Sequence, residues 1–397
     1  MGLNATPSGE RVHIGFFGMR NAGKSSVVNA VTGQNLAVVS DVKGTTTDPV
    51  KKAMELLPLG PVVIIDTPGI DDEGELGALR VKKAKEILAE VDLAVLVIDA
   101  AVGMSAQDRE LENAFREKKL PYILVYNKSD LLSEVPADTK HSVHVSARTG
   151  QGIYGLKDKI AALGKPEKTE KRIAADLVNP GDTVVLVIPI DDAAPKGRLI
   201  LPQQQVIRDL LEAGCSVACC RDTELTGTLE ALKNPPALVI TDSQAFGRVS
   251  KIVPADVPLT SFSILFARYK GELSSLMRGA ETLKNLGDGD RVLISEGCTH
   301  HRQCGDIGTE KMPNWIRAYC GAEPEFSFTS GGEFPDDPGA YKVVVHCGGC
   351  MLNEREMQSR IERAERADVP IVNYGIAIAA MHGILDRATA PLKGKGL

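Results

Sequence analysis

The segment Gly18-Met19-Arg20-Asn21-Ala22-Gly23-Lys24-Ser25 sets two glycines ahead of a Lys–Ser pair in the spacing G-x-x-x-x-G-K-S. Such a loop lets backbone N–H groups wrap phosphate oxygens, and a helix starting at its end adds positive potential. Lys24 is expected to reach the β and γ phosphates, and the Ser25 hydroxyl to bind Mg²⁺, with Ser26 next in the binding set. Three later segments extend the site. Asp66-Thr67-Pro68-Gly69 offers a carboxylate for a Mg²⁺-bound water and, at Gly69, an N–H for the γ phosphate. Asn127-Lys128-Ser129-Asp130 offers at Asp130 a carboxylate that accepts from both guanine N1 and N2, a pair that adenine lacks. Ser146-Ala147-Arg148 supplies a backbone N–H for guanine O6. In this order the four segments predict a site for GTP and GDP with Mg²⁺.

A second group of residues carries metal chemistry. Cys298-Thr299-His300-His301 and His346-Cys347-Gly348-Gly349-Cys350 each follow an apolar run. Cys347 and Cys350 can grip one metal or cluster, since the two glycines between them let the loop fold back. Cys298 adds a third thiolate. Three chemistries compete: a closed zinc site completed by His300 or His346, a C-x-x-C redox pair, and a [4Fe–4S] cluster on three cysteines with one iron open. The redox pair leaves Cys298-x-His300 unexplained, and spacing alone supports zinc and iron–sulfur equally. Cys304, six residues after Cys298, is a further possible ligand. Cys215, Cys219, Cys220 and Cys320 read as packing residues.

These groups need a frame. Val12–Phe17, Val62–Ile65, Leu93–Ile98 and Tyr122–Val125 are short, nearly continuous apolar runs, the pattern of strands buried on both faces. Helical stretches separate them, and each phosphate or base motif follows a run. The expected fold class is α/β: an N-terminal P-loop GTPase domain with a doubly wound sheet, followed by two further α/β domains. Residues 8–165 form the first. The charged segment Lys165-Pro166-Glu167-Lys168-Thr169-Glu170-Lys171 reads as a linker. A second βα series occupies 173–265, with strands at Thr183–Ile190, Cys215–Cys220 and Ala237–Thr241. The third, 266–397, has strands at Arg291–Ser295 and Lys342–His346 and closes with helices Glu354–Arg366 and Ile376–Leu385.

Composition excludes several classes. The 397 residues are 43% hydrophobic and 25% charged, an ordinary globular balance. No apolar run approaches the ~18 residues that span a bilayer, and the N-terminus lacks a signal-peptide core, so no membrane partner and a cytoplasmic location are expected. The net charge of −6 gives no reason to expect nucleic acid. Residues 266–397 carry 16 Lys/Arg against 18 Asp/Glu and no basic stripe.

The nucleotide motifs resemble the branch of GTPases that includes Era and the tRNA-modifying MnmE. Gly44-Thr45-Thr46-Thr47-Asp48 is similar to the switch I of that group, which implies Thr46, with Thr45 the alternative, as the Mg²⁺ and γ-phosphate ligand. Ile70 stands where Ras-like enzymes carry a water-orienting Gln. Asn21 stands where potassium-activated members carry the Asn that helps bind K⁺, a cation able to neutralise developing charge. The resemblance thus implies slow, K⁺-stimulated hydrolysis, with Asn21, Lys24, Thr46 and Gly69 as its catalytic set.

A GTPase followed by Cys298-x-His300, 45 intervening residues and His346-Cys347-x-x-Cys350 resembles the [FeFe]-hydrogenase maturation family HydF. Residues Gly69-Ile70-Asp71-Asp72-Glu73-Gly74-Glu75-Leu76-Gly77 are similar to that family as well. The resemblance covers nearly the whole chain. It implies a dimerisation domain in the middle, a homodimer or tetramer, and a [4Fe–4S] cluster on Cys298, Cys347 and Cys350 with His300 or His346 at the fourth position. It also implies a carrier that takes a transient di-iron precursor made with the radical-SAM maturases HydE and HydG and delivers it to apo-[FeFe]-hydrogenase. The competing expectations are a ribosome- or tRNA-associated GTPase with a structural zinc site, and a GTP-gated redox enzyme.

Overall fold

In the computed structural model, which describes residues 8–33, 49–69, 84, 87–164, 171–190, 199–271, 273–297, 306–349 and 351–393, the first unit is built on one sheet. Its strands are β1 (Val12–Gly18), β2 (Val50–Leu56), β3 (Gly60–Asp66), β4 (Leu93–Asp99), β5 (Tyr122–Asn127) and β6 (Ser142–His144). They lie in the order β2-β3-β1-β4-β5-β6. All pairs are parallel except β2 with β3. The sheet is the expected doubly wound one, with one antiparallel strand at its edge. The polar β2 carries Lys51, Lys52 and Glu55 on an exposed edge, which is why no apolar run announces it. The inner strands split their side chains between two apolar layers. Ile14 and Phe16 pack with Val27, Val28, Leu156 and Ile160 on one face. Phe17 packs with Ile87, Leu88 and Phe115 on the other. β1 lies between β3 and β4, so the chain order reverses beside it, the kind of switch point at which open α/β sheets place their ligands.

The chain divides into two compact units, Met1–Thr169 and Glu170–Leu397. The second unit holds two four-stranded parallel sheets. One consists of β7 (Thr183–Val187), β8 (Ser216–Cys220), β9 (Leu238–Thr241) and β10 (Leu259–Ser261), ordered β10-β9-β7-β8. The other consists of β11 (Arg291–Glu296), β12 (Glu325–Ser330), β13 (Val343–His346) and β14 (Ile371–Asn373), ordered β12-β11-β13-β14.

Both sheets share one continuous apolar core. Two helices join them. Phe262–Lys270 buries six of its nine residues, and Tyr374–Met381 buries Tyr374 through Ala379 without interruption. A helix that is apolar all round belongs inside. Their approach is close: a Cβ on Gly375 would stand 2.3 Å from Cβ of Ser263, so no larger residue fits there. The helix Phe262–Lys270 runs straight through the expected boundary at 265/266. The helix expected over Ile376–Leu385 breaks at Gly383, in the left-handed region with φ 68°, and resumes as Leu385–Thr389. Among the described residues no helix is long and apolar enough to cross a membrane.

Candidate functional site

The loop after β1 holds its shape through backbone conformations that few residues adopt. Asn21 (φ 63°) and Gly23 (φ 83°) are left-handed. Asn tolerates that region better than most side chains. At Gly23 a Cβ would meet Asn127 Nδ2 at 2.3 Å, so only glycine lets the two segments touch. The helix Lys24–Thr32 starts immediately beyond. Its first residue turns its ammonium to Asp66, with Lys24 Nζ donating to Oδ1 at 2.5 Å, and Ser25 Oγ donates to Asp66 Oδ2 at 3.1 Å. Lys24 is 8% exposed. The structure thus brings the proposed phosphate cation and the two proposed Mg²⁺-side oxygens into one cluster. Thr67 fixes the strand end that carries Asp66, because its hydroxyl donates to Phe16 O at 2.7 Å. Gly69 lies against the loop: a Cβ there would be 3.1 Å from Cα of Arg20.

Asn127 links the phosphate side to the base side. Its Nδ2 donates to Ala22 O at 3.0 Å, and its Oδ1 accepts from Ala147 N at 3.0 Å. Lys128, left-handed at φ 64°, pairs with Asp99 at 2.6 Å. Ser146 is fully buried, and its hydroxyl accepts from Thr149 N at 3.2 Å. Asp130 is exposed, its carboxylate accessible to a base. Thr45, Thr46 and Ile70 lie outside the described residues.

The cysteine site sits at the C-terminal ends of β11 and β13, which pair in register with Ser295 beside His346. Cys347 N donates to Ser295 O at 2.9 Å. The Cys347 sulfur accepts two backbone N–H groups, from Gly297 at 3.1 Å and from Gly349 at 3.4 Å. Such bonds stabilise a thiolate and tune a metal bound to it. Gly297 directly precedes Cys298 in the chain, so Cys347 is held against the segment that carries its expected co-ligand. Cys298, His300, Cys304 and Cys350 themselves lie outside the described residues.

His346 is fully buried. Its Nδ1 donates to Cys347 O at 2.7 Å, and Arg360 Nη1 donates to its Nε2 at 3.0 Å. A carbonyl only accepts and a guanidinium only donates, so both ring nitrogens are engaged. His346, one of the two histidines expected at or near the fourth position, thus has both nitrogens in hydrogen bonds.

Sequence reasoning missed two buried cations here. Arg360, 2% exposed, also donates to Gly331 O at 2.6 Å and pairs with Glu356 at 2.7 Å. Lys270, 4% exposed, donates to Gly349 O at 3.1 Å and Leu352 O at 2.9 Å. Arg360 and Glu356 look like an ordinary i,i+4 surface pair in sequence. Tyr374 was missed too. Its hydroxyl lies 3.3 Å from a Glu296 carboxylate oxygen, and burial, with Glu296 and Cys347 adding to it, pushes its pKa well above the usual phenol value. Cys219, expected to pack, is exposed on the edge strand β8, whereas Cys215 is buried, its thiol pushed up mainly by that burial.

Residues 173–271 match the family described as hydrogen maturase F dimerization domain, and 274–391 the hydrogen maturase F tetramerization domain. Residues 13–128 match a family described as 50S ribosome-binding GTPase. Among curated proteins, the GTPase Der of Kosmotoga olearia is 32% identical over 189 residues, 43% of this chain and 42% of that protein. The tRNA modification GTPase MnmE of Endomicrobium trichonymphae is 33% identical over 174 residues, 41% of this chain and 38% of that protein. The chain thus spans about two fifths of these relatives' length. Among solved structures, Aquifex aeolicus Era bound to GDP and AlF4− shares 21% identity at a TM-score of 0.35, covering 53% of this chain and 92% of that one.

Proposed function

This chain belongs to the hydrogen maturase F (HydF) family, and on that premise we propose that it is a GTP-hydrolysing scaffold that carries a [4Fe–4S] cluster and hands a di-iron precursor to apo-[FeFe]-hydrogenase. Its first unit is a P-loop GTPase domain, which implies GTP hydrolysis with Mg²⁺. Lys24 and Asp66 pair with each other; a bound phosphate would compete for the ammonium and leave the carboxylate to the Mg²⁺ side of the site. Ser25 offers its oxygen to the same ion. Asp130 selects guanine, and Asn127 keeps the base and phosphate segments at fixed separation. Ser25 and Asp66 would hold Mg²⁺ and Asn21 would help hold K⁺, and the two cations would supply positive charge toward the phosphate oxygens.

The observation that carries the cluster reading is the Cys347 sulfur held by the N–H of Gly297, at the ends of two adjacent strands. Cys298, Cys347 and Cys350 would hold the cluster. When bound, the cluster supplies an iron with an exchangeable position. With both His346 nitrogens engaged, His300 is the better histidine for that position, and Cys304 is its competitor. HydE, HydG and the apo-hydrogenase are the proposed partners.

Anaerobic reconstitution with iron and sulfide tests the reading. We expect a brown protein with about four irons per chain, lost on replacing Cys298, Cys347 or Cys350 by Ala, because two thiolates hold such a cluster poorly. A colourless protein with one tightly held zinc would overturn it in favour of a structural site on an RNA-associated GTPase.

A further inference from the structure

Two lysines are buried among the described residues, Lys24 and Lys270. Lys24 belongs to the phosphate site. Lys270 ends the helix Phe262–Lys270 and belongs to the segment that matches the dimerization domain, yet its ammonium reaches into the loop of the following domain. The carbonyls it holds, Gly349 O at 3.1 Å and Leu352 O at 2.9 Å, belong to residues on either side of Cys350. Its Nζ also lies 5.8 Å from the centroid of the Phe266 ring. The clamp works in both directions, because Gln358 Nε2, from the helix after the loop, donates to Lys270 O at 3.1 Å. Gly349 itself is left-handed at φ 60° and offers its N–H to the Cys347 sulfur. Lys270 and the Cys347 sulfur thus hold the two peptide groups that meet at Gly349.

Moving an ammonium out of water is costly unless it is well paired. A fold keeps one inside where the charge is used. Three thiolates around a [4Fe–4S]²⁺ core carry a net negative charge, and one-electron reduction adds another.

We infer that Lys270 is a positioning residue for the cluster site: from the neighbouring domain it ties down Gly349 and Leu352 and brings a permanent positive charge to the loop that carries Cys347. The site is then completed by a residue outside the tetramerization domain. The electrostatic half of this inference rests on the iron–sulfur reading; the clamp does not. A fixed cation stabilises the reduced cluster more than the oxidised one, so it raises the midpoint potential.

The test uses the full chain as wild type, Lys270→Met, Lys270→Arg and Lys270→Gln. In metal-free protein, hydrogen exchange of a peptide spanning 347–353 should speed up by about tenfold or more in Lys270→Met, while peptides from β11 and β13 keep wild-type rates. After reconstitution, the midpoint potential by EPR-monitored titration should fall in Lys270→Met and Lys270→Gln and stay near wild type in Lys270→Arg. Unchanged loop exchange in Lys270→Met would overturn the clamp, and equal potentials in Gln and Arg variants would overturn the charge effect. Should Lys270→Met lose its cooperative melt, the Gln and Arg pair decides both points by the same readouts. Zinc instead of iron in wild type would sink the cluster reading, while the exchange data would still decide the clamp.

Discussion

At the scale of single residues, the proposed nucleotide site is tested at Asn21 and Asp130. Asn21 occupies the phosphate loop in a left-handed conformation. We expect GTP turnover to be faster in K⁺ than in Na⁺ at matched ionic strength, and that difference to vanish in Asn21→Gly. Glycine keeps the left-handed backbone that Ala would strain, so the loss reports the side-chain amide alone. Equal rates in both salts for wild type would remove the idea. Asp130 stands exposed at the base side. Asp130→Asn puts an amide donor where two guanine donors need an acceptor. GTP affinity should drop on the order of 100-fold and preference should move toward xanthine nucleotides, since each unpaired polar group costs ~1–3 kcal/mol. Competition binding with GTP and XTP measures both; wild-type GTP affinity in the variant would place base selection elsewhere.

At the scale of elements, the edge strand β8 is the surface to watch. It closes one side of its sheet, and Val217, Ala218 and Cys220 are only half-buried while Cys219 is exposed. Natural edges that must stay unpaired carry charges, and β2 with its two lysines does so. Residues Val217 to Cys220 carry none. The family of this segment is described as a dimerization domain, so we expect β8 to meet a second copy of itself. Ala218→Lys should shift the species toward a smaller one in light scattering, at unchanged far-UV circular dichroism. An unaltered mass would move the interface off this edge.

At the scale of the molecule, the single core of residues 173–392 predicts how the chain can be cut. A fragment 171–397 keeps that core whole and should melt in one cooperative transition and self-associate. A fragment 173–265 ends inside the helix Phe262–Lys270 and loses the helix Tyr374–Met381 that covers it. It exposes Ile264, Leu265 and their neighbours, each worth ~1.5–3 kcal/mol when buried. We expect aggregation or no cooperative melt. A folded, monodisperse short fragment would show that the middle sheet holds its own core.

What the sequence determined by itself is local chemistry. The phosphate, magnesium and guanine segments are short, contiguous and set at strand ends, and the fold merely brings them together, as the contacts of Lys24 with Asp66 and of Asn127 with Ala22 and Ala147 show. The spacing of Cys347 and Cys350 is a local signal of the same kind. Strands β2, β10, β12 and β14 were not, because three-residue or polar edge strands carry no apolar run. Tertiary structure alone decided what surrounds Cys347. Which face of a helix meets which sheet turns Arg360 from an apparent surface partner of Glu356 into the buried donor that occupies His346. It also carries Lys270 across 79 residues of chain to Gly349. Burial of a charge depends on what packs over it, and no spacing in the sequence records that.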